Sequence, residues 1–225
     1  MPTLSADRAI NAAMNLSQFY PGVIEFAIVA NGCSKDDVAK LRHTADQVPH
    51  LIHLVENEEN LGYGMGANLG LNALWPEGWF DYFGVTNDDV LPAADCIAQL
   101  VTAFEELKAL GKNPGVLGPV TNSIHGPQQI SIGAYSSAPE MQRLAMEHLR
   151  RHHSEATESE RLRGLFLLIS PECLSAVGGF DPIFGLGNFE DDDHNLRCRL
   201  AGYTLWIVDG AFLHHDGSTS FKELK

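Results

Sequence analysis

Several things are missing from this sequence, and each absence narrows what it can be. No apolar run approaches the ~20 residues that a membrane helix needs, and the opening MPTLSADRAI lacks the basic-then-apolar layout of a secretory signal. The expectation is a cytoplasmic chain, with a peripheral place at the inner face of a membrane left open. Basic residues are outnumbered, 15 against 29 acidic ones, for a net charge of −14. No dense basic patch relieves that charge, which argues against nucleic acid as a partner. The longest basic-rich stretch, RLAMEHLRRHH, has the period of a helix's outer face. The four cysteines, Cys33, Cys96, Cys173 and Cys198, are far apart in sequence and form no C-x-x-C pair. They are expected as reduced, mostly buried thiols. There is no internal repeat and no low-complexity linker, so residues 1–225 are expected to form one domain.

What is present reads as an α/β protein. The chain has 225 residues, 44% of them apolar, enough for one sizeable core. VIEFAIVA (23–30) is rich in β-branched and aromatic residues and runs into the turn signal NGCSKDD. A helix is predicted over 34–47, a strand over 50–56, a helix in GMGANLGLNAL and a buried strand over 79–86. Residues 93–110 have a helical stripe of Ile97, Leu100, Val101 and Phe104, and GVLGPV follows as a short strand. This rhythm predicts a mostly parallel sheet with helices on both faces. In the second half, MQRLAMEHLRRHHSEATESERLR reads as helix or loop, GLFLLIS (164–170) as a strand, and NFEDDDHNLRCRLAG as a helix closed by Gly202. YTLWIVDGAFLHHDG reads as one or two short strands. A sheet of this kind normally opens with a central strand, yet MPTL reads as the loop after one, so the first strand is expected to be truncated or absent.

Two acidic clusters carry the chemistry. TNDDVLP (86–92) follows a strand, and open α/β sheets bind ligands at the carboxyl ends of their strands. Asp88 and Asp89, with Asn87, suit an oxygen-ligand site for Mg²⁺ or Mn²⁺, while a helix cap and turn would also use such residues. Glu190, Asp191, Asp192 and Asp193 stand in a row at the start of a helix. The positive helix end favours some of this charge, and Asp193 can pair with Arg197 one turn on. The rest repel one another unless a cation, a donor or a raised pKa relieves them. A carboxylate so raised could serve as a general base. The order D-x-D-x-D-G is absent, which excludes an EF-hand. In FLHHDGSTSF, His214 and His215 point to opposite faces of a strand, so one of them can face a site.

VTNDDVLP, ECLSAVGGFDPIFGLGNFEDDDHNLRCRLAGY and FLHHDGSTS, in this order, resemble the family 2 glycosyltransferases of the GT-A, Rossmann-like fold. IEFAIVANGCSKDD and NEENLGYGMGANLGLN are similar to the family's earlier segments, and GPVTNSIHGPQQI to a segment of members associated with surface-polysaccharide or O-antigen assembly. The likeness covers nearly the whole chain. It implies inverting, metal-dependent transfer of a sugar from a nucleotide-diphosphate sugar to a hydroxyl of a glycan, lipid-linked or protein acceptor. By the resemblance, Asp89 and Asp88 would hold Mn²⁺ or Mg²⁺, and His215, or else His214, would complete the ligation. Asp191, or else Glu190, would take the acceptor's proton. Asn31, Asn60, Gly62, Asn68, Asp88 and Gly179 would shape the substrate sites. About 1–118 would bind the nucleotide sugar and about 119–225 the acceptor. Two alternatives are weighed beside this. One is a non-catalytic donor-binding or scaffold domain of the same fold. The other is a sugar nucleotidyltransferase, which normally needs a Gly-rich basic loop near the N-terminus that is not present.

Overall fold

The computed structural model describes residues 1–75, 80–153 and 155–217. Its N-terminal part is a parallel sheet. β2 (Phe26–Asn31) lies between β1 (Pro2–Thr3) and β3 (Ile52–Asn57). Every residue of β2 is buried, as expected of a strand covered on both faces. The first strand, expected to be cut short, is present over two residues, with Pro2 opposite Val29 and Thr3 opposite Ala30. Pro2 and Thr3 are therefore strand, and the loop to α1 follows them.

Three helices accompany this sheet. α1 (Ala6–Gln18) buries Ala6, Ala9, Ala13 and Leu16, the three- and four-residue spacing of one helix face. α2 (Lys35–Gln47) starts at Ser34, whose hydroxyl accepts the amide of Asp37 at 3.1 Å. α3 (Gly62–Leu74) packs close to the strands because of its glycines. A Cβ on Gly66 would lie 2.7 Å from the Pro2 side chain, so only glycine fits there.

The second sheet is mixed. β4 (Phe83–Thr86), β8 (Phe166–Ile169), β6 (Pro114–Thr121), β9 (Thr204–His215) and β5 (Val90–Pro92) follow one another across it, and β7 (Ala156–Ser159) adds to β9. β6 and β9 are parallel; the other pairs are antiparallel. The segment read as one or two short strands is a single strand, β9. Its pairing jumps from Pro119–Val208 to Val120–Phe212, so residues 209–211 bulge out of the ladder. β7 falls in a stretch read as helix or loop. It is a polar strand with two exposed residues, so it shows no apolar alternation. Trp79, at the start of the predicted 79–86 strand, lies outside the described residues.

α4 (Cys96–Ala109), α5 (Ala138–His152), α6 (Pro171–Val177) and α7 (Glu190–Leu200) pack around this sheet. α7 ends as predicted at Gly202, which has φ +88°. The amides of Gly202 and Tyr203 bond to the carbonyls of Arg199 and Cys198, both at 3.0 Å, which closes the helix. All four thiols are free, and Cys96, Cys173 and Cys198 are buried. The sulfurs of Cys173 and Cys198 lie 3.4 Å apart, a proximity their sequence spacing does not announce. Among the described residues, no helix is long and apolar enough to cross a membrane.

Candidate active site

At the carboxyl ends of β1, β2 and β4, the loops surround an open cleft of about 520 Å³. Its acidic side is built by strand register. Asn87–Asp89 link β4 to β5, and β5 runs antiparallel to the end of β9 with Val90 opposite His215. That register places the His215 ring beside Asp89, with Nε2 3.4 Å from Oδ1. The other ring nitrogen, Nδ1, lies 2.7 Å from the Ser123 carbonyl. Since a carbonyl only accepts, Nδ1 carries the hydrogen and Nε2 faces the carboxylate. Burial works against a charge on this ring, but the bonds to Asp89 and to the Ser123 carbonyl outweigh it and hold the pKa above the usual value.

His214 is on the other face of β9. Its ring meets the Tyr135 hydroxyl at 2.7 Å and Asp216 at 3.0 Å, and it does not line the cleft. Of the two histidines left open by the sequence, the structure brings His215 to Asp89. Ser220, in the same segment, lies outside the described residues. Asp88 lines the cleft but is committed elsewhere. It accepts the Thr3 hydroxyl at 2.6 Å and faces Arg8 Nε at 3.3 Å. Burial nonetheless raises its pKa. Asp88 thus ties β1 and α1 to the turn that follows β4.

The second acidic cluster enters the cleft from α7. Asn188 and Phe189 precede it with φ of +76° and +72°, a left-handed conformation that non-glycine residues adopt at a cost. Each of the four adjacent carboxylates then has its own surroundings. Glu190 is buried, and among the described residues its Oε2 has no hydrogen-bond partner. Burial first, then the charges of Asp191 and Asp192, raise its pKa. Asp191 Oδ2 accepts the Gly164 amide at 2.9 Å. The Tyr63 hydroxyl bonds the carbonyl of the same Gly164, and burial raises the pKa of this phenol. Asp192 sits 3.6 Å from Arg161 and 3.4 Å from Arg163. Asp193 makes the predicted pair with Arg197, at 2.7 Å. The row is tolerated because two of its members have cations and Asp191 has a donor.

Asn31, Asn60 and Gly62 all line the cleft. The Asn31 amide donates to Gly62 O at 3.0 Å and to Asn60 Oδ1 at 3.3 Å, and its oxygen accepts from Asn57 and from the Leu61 amide, both at 3.2 Å. Its polar atoms are engaged in holding the 57–62 loop. Gly62, at φ +82°, allows that loop to pass against Leu186, whose Cα would be 2.4 Å from an added Cβ. Asn68 and Gly179 are not in the cleft. Asn68 brackets the backbone of Phe180, accepting its amide at 2.8 Å and donating to its carbonyl at 2.7 Å. A Cβ on Gly179 would lie 2.2 Å from Asn68 Oδ1. Both positions clamp α3 to the segment before α7.

Sequence reasoning passed over Thr3, Tyr63 and Arg163, which line the cleft as well. Arg163 stands just before β8, at the opposite chain end from a strand's usual ligand-binding terminus. Only the antiparallel course of β8 brings it to the site.

A divalent cation fits this donor set in part. Asp89 Oδ1 and His215 Nε2 are adjacent, and the histidine is oriented by a carbonyl behind it, the usual support of a metal ligand. Among the described residues, no group of three or more His, Cys, Asp or Glu side chains is gathered tightly enough to hold a metal ion. Among the described residues, Asp89 and His215 are the adjacent pair, and a hard cation there would need further oxygens, as from water or a phosphate.

No protein-family model matches the chain. Uncharacterised proteins of Mycobacterium bovis and Mycobacterium tuberculosis are 27% identical to it over 161 residues, which is 71% of this chain and 55% of theirs. The chain thus spans about half the length of the curated relatives it matches. Among solved structures, it is similar to GalNAc-T7 with UDP, GalNAc and Mn²⁺ (TM-score 0.69, 14% identity, 92% of this chain and 41% of that one). It is similar to the mannosyltransferase PcManGT of Pyrobaculum calidifontis with GDP-Man and Mn²⁺ (0.64, 16%, 98% and 58%). It is also similar to S. aureus TarS 1–349 with UDP (0.61, 14%, 95% and 58%). The fold is therefore GT-A, that of these glycosyltransferases.

Proposed function

We propose that the chain is the transferase domain of an inverting, metal-dependent, family 2-like glycosyltransferase. The supporting observation is the placement of Asp89 and His215 in one cleft with Asp191, at the carboxyl ends of β1, β2 and β4. Asp89 and His215 would hold Mn²⁺ or Mg²⁺. Such an ion, when bound, neutralises the charge developing on a nucleoside diphosphate leaving group. It also explains how a chain of net charge −14 can take an anionic donor. The 57–62 loop, held by Asn31 and Asn60, would form the donor wall, and Tyr63 and Gly164 would orient Asp191. Asp191 would accept the proton of the acceptor hydroxyl, so that no covalent enzyme intermediate is needed. Residues of about 1–118 would serve the donor and about 119–225 the acceptor, a glycan or lipid-linked hydroxyl of the kind used in surface-polysaccharide assembly, in the cytoplasm or at the inner face of its membrane.

The competing reading is a donor-binding domain without turnover. The bonds of Asp88 to Thr3 and Arg8 favour it, since they would compete with a metal for that carboxylate. A panel of UDP, GDP and dTDP, each with Mn²⁺, should identify a nucleotide that raises the melting temperature. The corresponding nucleotide sugar should then be slowly hydrolysed, and Asp191→Asn should stop hydrolysis without losing the nucleotide. Binding with no turnover in the unmodified chain would leave the donor-binding reading standing instead.

A further inference from the structure

The joint between α6 and α7 holds two thiols. Arg197 of α7 makes the joint firm. Its Nη1 and Nη2 donate to the carbonyls of Val177 and Gly179, both at 2.8 Å, and its Nε donates to Asp193 at 2.7 Å. Within this joint the Cys173 thiol of α6 donates to the Cys198 sulfur of α7 at 3.4 Å. Sulfurs bonded in a disulfide are about 2.05 Å apart, so the two need to approach by only about 1.4 Å more.

The surroundings separate this pair from the other two thiols. His194, one turn before Cys198 on α7, places Nδ1 3.6 Å from the Cys198 sulfur. The hydrogen bond from Cys173 first, and the contact with His194 after it, draw the Cys198 pKa below the ordinary thiol value, against the effect of burial. The same bond and burial raise Cys173. Burial pushes Cys33 up to about 11 and Cys96 up to about 12. The thiolate is the reactive form of cysteine. The chain therefore holds one ionisable thiol, and the partner able to resolve it is already in contact.

We propose that Cys173 and Cys198 are a redox-modification site, a dithiol that hydrogen peroxide closes to a disulfide joining α6 to α7 without displacing either helix. The Cys198 proton passes to His194 Nδ1. The Cys198 thiolate then attacks one peroxide oxygen, forming an S–O bond and breaking the O–O bond. The departing hydroxide takes the proton back from His194 and leaves as water. The Cys173 sulfur attacks the Cys198 sulfenic acid, forming the S–S bond and breaking the S–O bond. The second hydroxide takes the Cys173 proton. Two thiols lose two electrons in all, and one peroxide becomes two waters. Both sulfurs are buried, which restricts the oxidant to a small neutral molecule of this kind. The site lies in the joint rather than the cleft and does not depend on the proposed function.

The test exposes the reduced full chain, folded, to hydrogen peroxide. The chain is then unfolded, alkylated and digested without reductant for mass spectrometry. One cross-linked pair of peptides should carry Cys173 and Cys198, lighter by two hydrogens, with Cys33 and Cys96 alkylated. The oxidised chain should melt at least about 5 °C above the reduced one, because the bond closes a loop in the unfolded chain. Dithiothreitol should erase that difference. Cys173→Ala and Cys198→Ala should each show no gain with peroxide. Alkylation of all four thiols in the treated chain would overturn the proposal. So would Cys198 ending as sulfinic acid beside a free Cys173, or Cys33 oxidised first. A mapped bond that left the melting temperature unchanged or lower would overturn it too, since the joint would then have been distorted to form it.

Discussion

His215 Nε2 and Asp89 Oδ1 meet at 3.4 Å although 126 positions separate them, because Val90 pairs with His215 across β5 and β9. Val90 follows Asp89 directly, so the register alone delivers the pair to the cleft. This pair makes the metal reading testable by substitution. A nucleotide with Mn²⁺ at 100 times its Kd should stabilise the chain by about 2.7 kcal/mol, or about 5–10 °C for a domain of this size. Asp89→Asn and His215→Gln should each lose most of that shift. His214→Gln should keep it, since His214 bonds Tyr135 and Asp216 on the opposite face.

The same pair predicts a pH dependence. The pKa of His215 lies above its ordinary 6.5, because the bonds to Asp89 and Ser123 overcome the opposing effect of burial. The folded state therefore holds this proton more tightly than the unfolded chain. The contribution to stability is fully present below pH 6.5 and is lost as the pH rises through the folded value. In metal-free buffer the melting temperature of the unmodified chain minus that of His215→Gln should shrink from about pH 6 to about pH 8. A metal requires the neutral ring, so the Mn²⁺-induced shift should grow across the same window. A gap that widens with pH would contradict the orientation of the ring.

Asn68 supplies a prediction against its expected role. Its two bonds to the Phe180 backbone should make Asn68→Ala destabilising by about 1–3 kcal/mol, since a buried amide and carbonyl lose their partners. Gly179→Ala would push a Cβ into the same bracket. Denaturant midpoints should fall for both, and the double variant should cost less than the sum, because one bracket is lost in each case. The nucleotide-induced shift should survive in both, which it would not if these residues touched the donor.

These cases show what the sequence carries and what it does not. The apolar period of 93–110, the helix over 34–47, the Gly202 stop and the Asp193–Arg197 pair are local features, decided within one helical turn or one strand, and they stand as read. The choice between His214 and His215 needed the pairing of β9 with β5. The dual bond of Asp88 needed β1 and α1 beside the 87–89 turn. β7 was illegible because a polar edge strand has no apolar alternation to show. Asn68 and Gly179 were singled out by the resemblance alone, and their contact with each other and with Phe180 depends on how α3 packs against the segment before α7.

Arg163 is the one Lys or Arg among the described residues lining the cleft. It is held by Asp192 at 3.4 Å and donates from Nε to the His125 carbonyl at 3.1 Å. Asp192 thereby helps hold the arginine at the cleft wall. Arg163→Ala should raise KM for an anionic substrate at least about tenfold, the loss of one charge-assisted bond. Stability should change by less than about 1 kcal/mol, since the pair is partly exposed. Arg163→Lys should not restore KM, because an ammonium cannot serve the His125 carbonyl and an anion in the same planar arrangement. An unchanged KM in Arg163→Ala would leave Asp192 and Arg163 as a purely structural pair.

Glu190 and Asp191 are distinguishable by experiment because their surroundings differ. Asp191 is oriented by the Gly164 amide at 2.9 Å, whereas Glu190 is buried with an oxygen that has no partner among the described residues and with a raised pKa. Asp191→Asn should lower nucleotide-sugar turnover about 10²–10⁴-fold, the usual worth of a general base, with the nucleotide-induced thermal shift intact. Glu190→Gln should act first on stability. A carboxyl whose folded pKa exceeds the ordinary 4.5 holds its proton longer in the native state, so the unmodified chain loses stability as the pH rises from 4.5 through the folded value. The amide is neutral throughout and removes the repulsion from Asp191 and Asp192, so Glu190→Gln should melt higher than the unmodified chain at neutral pH. If instead Glu190→Gln abolished turnover and Asp191→Asn kept it, the two roles would exchange. The acidic limb of the activity profile would then lie above the ordinary carboxylate range, where the proton on Glu190 is lost.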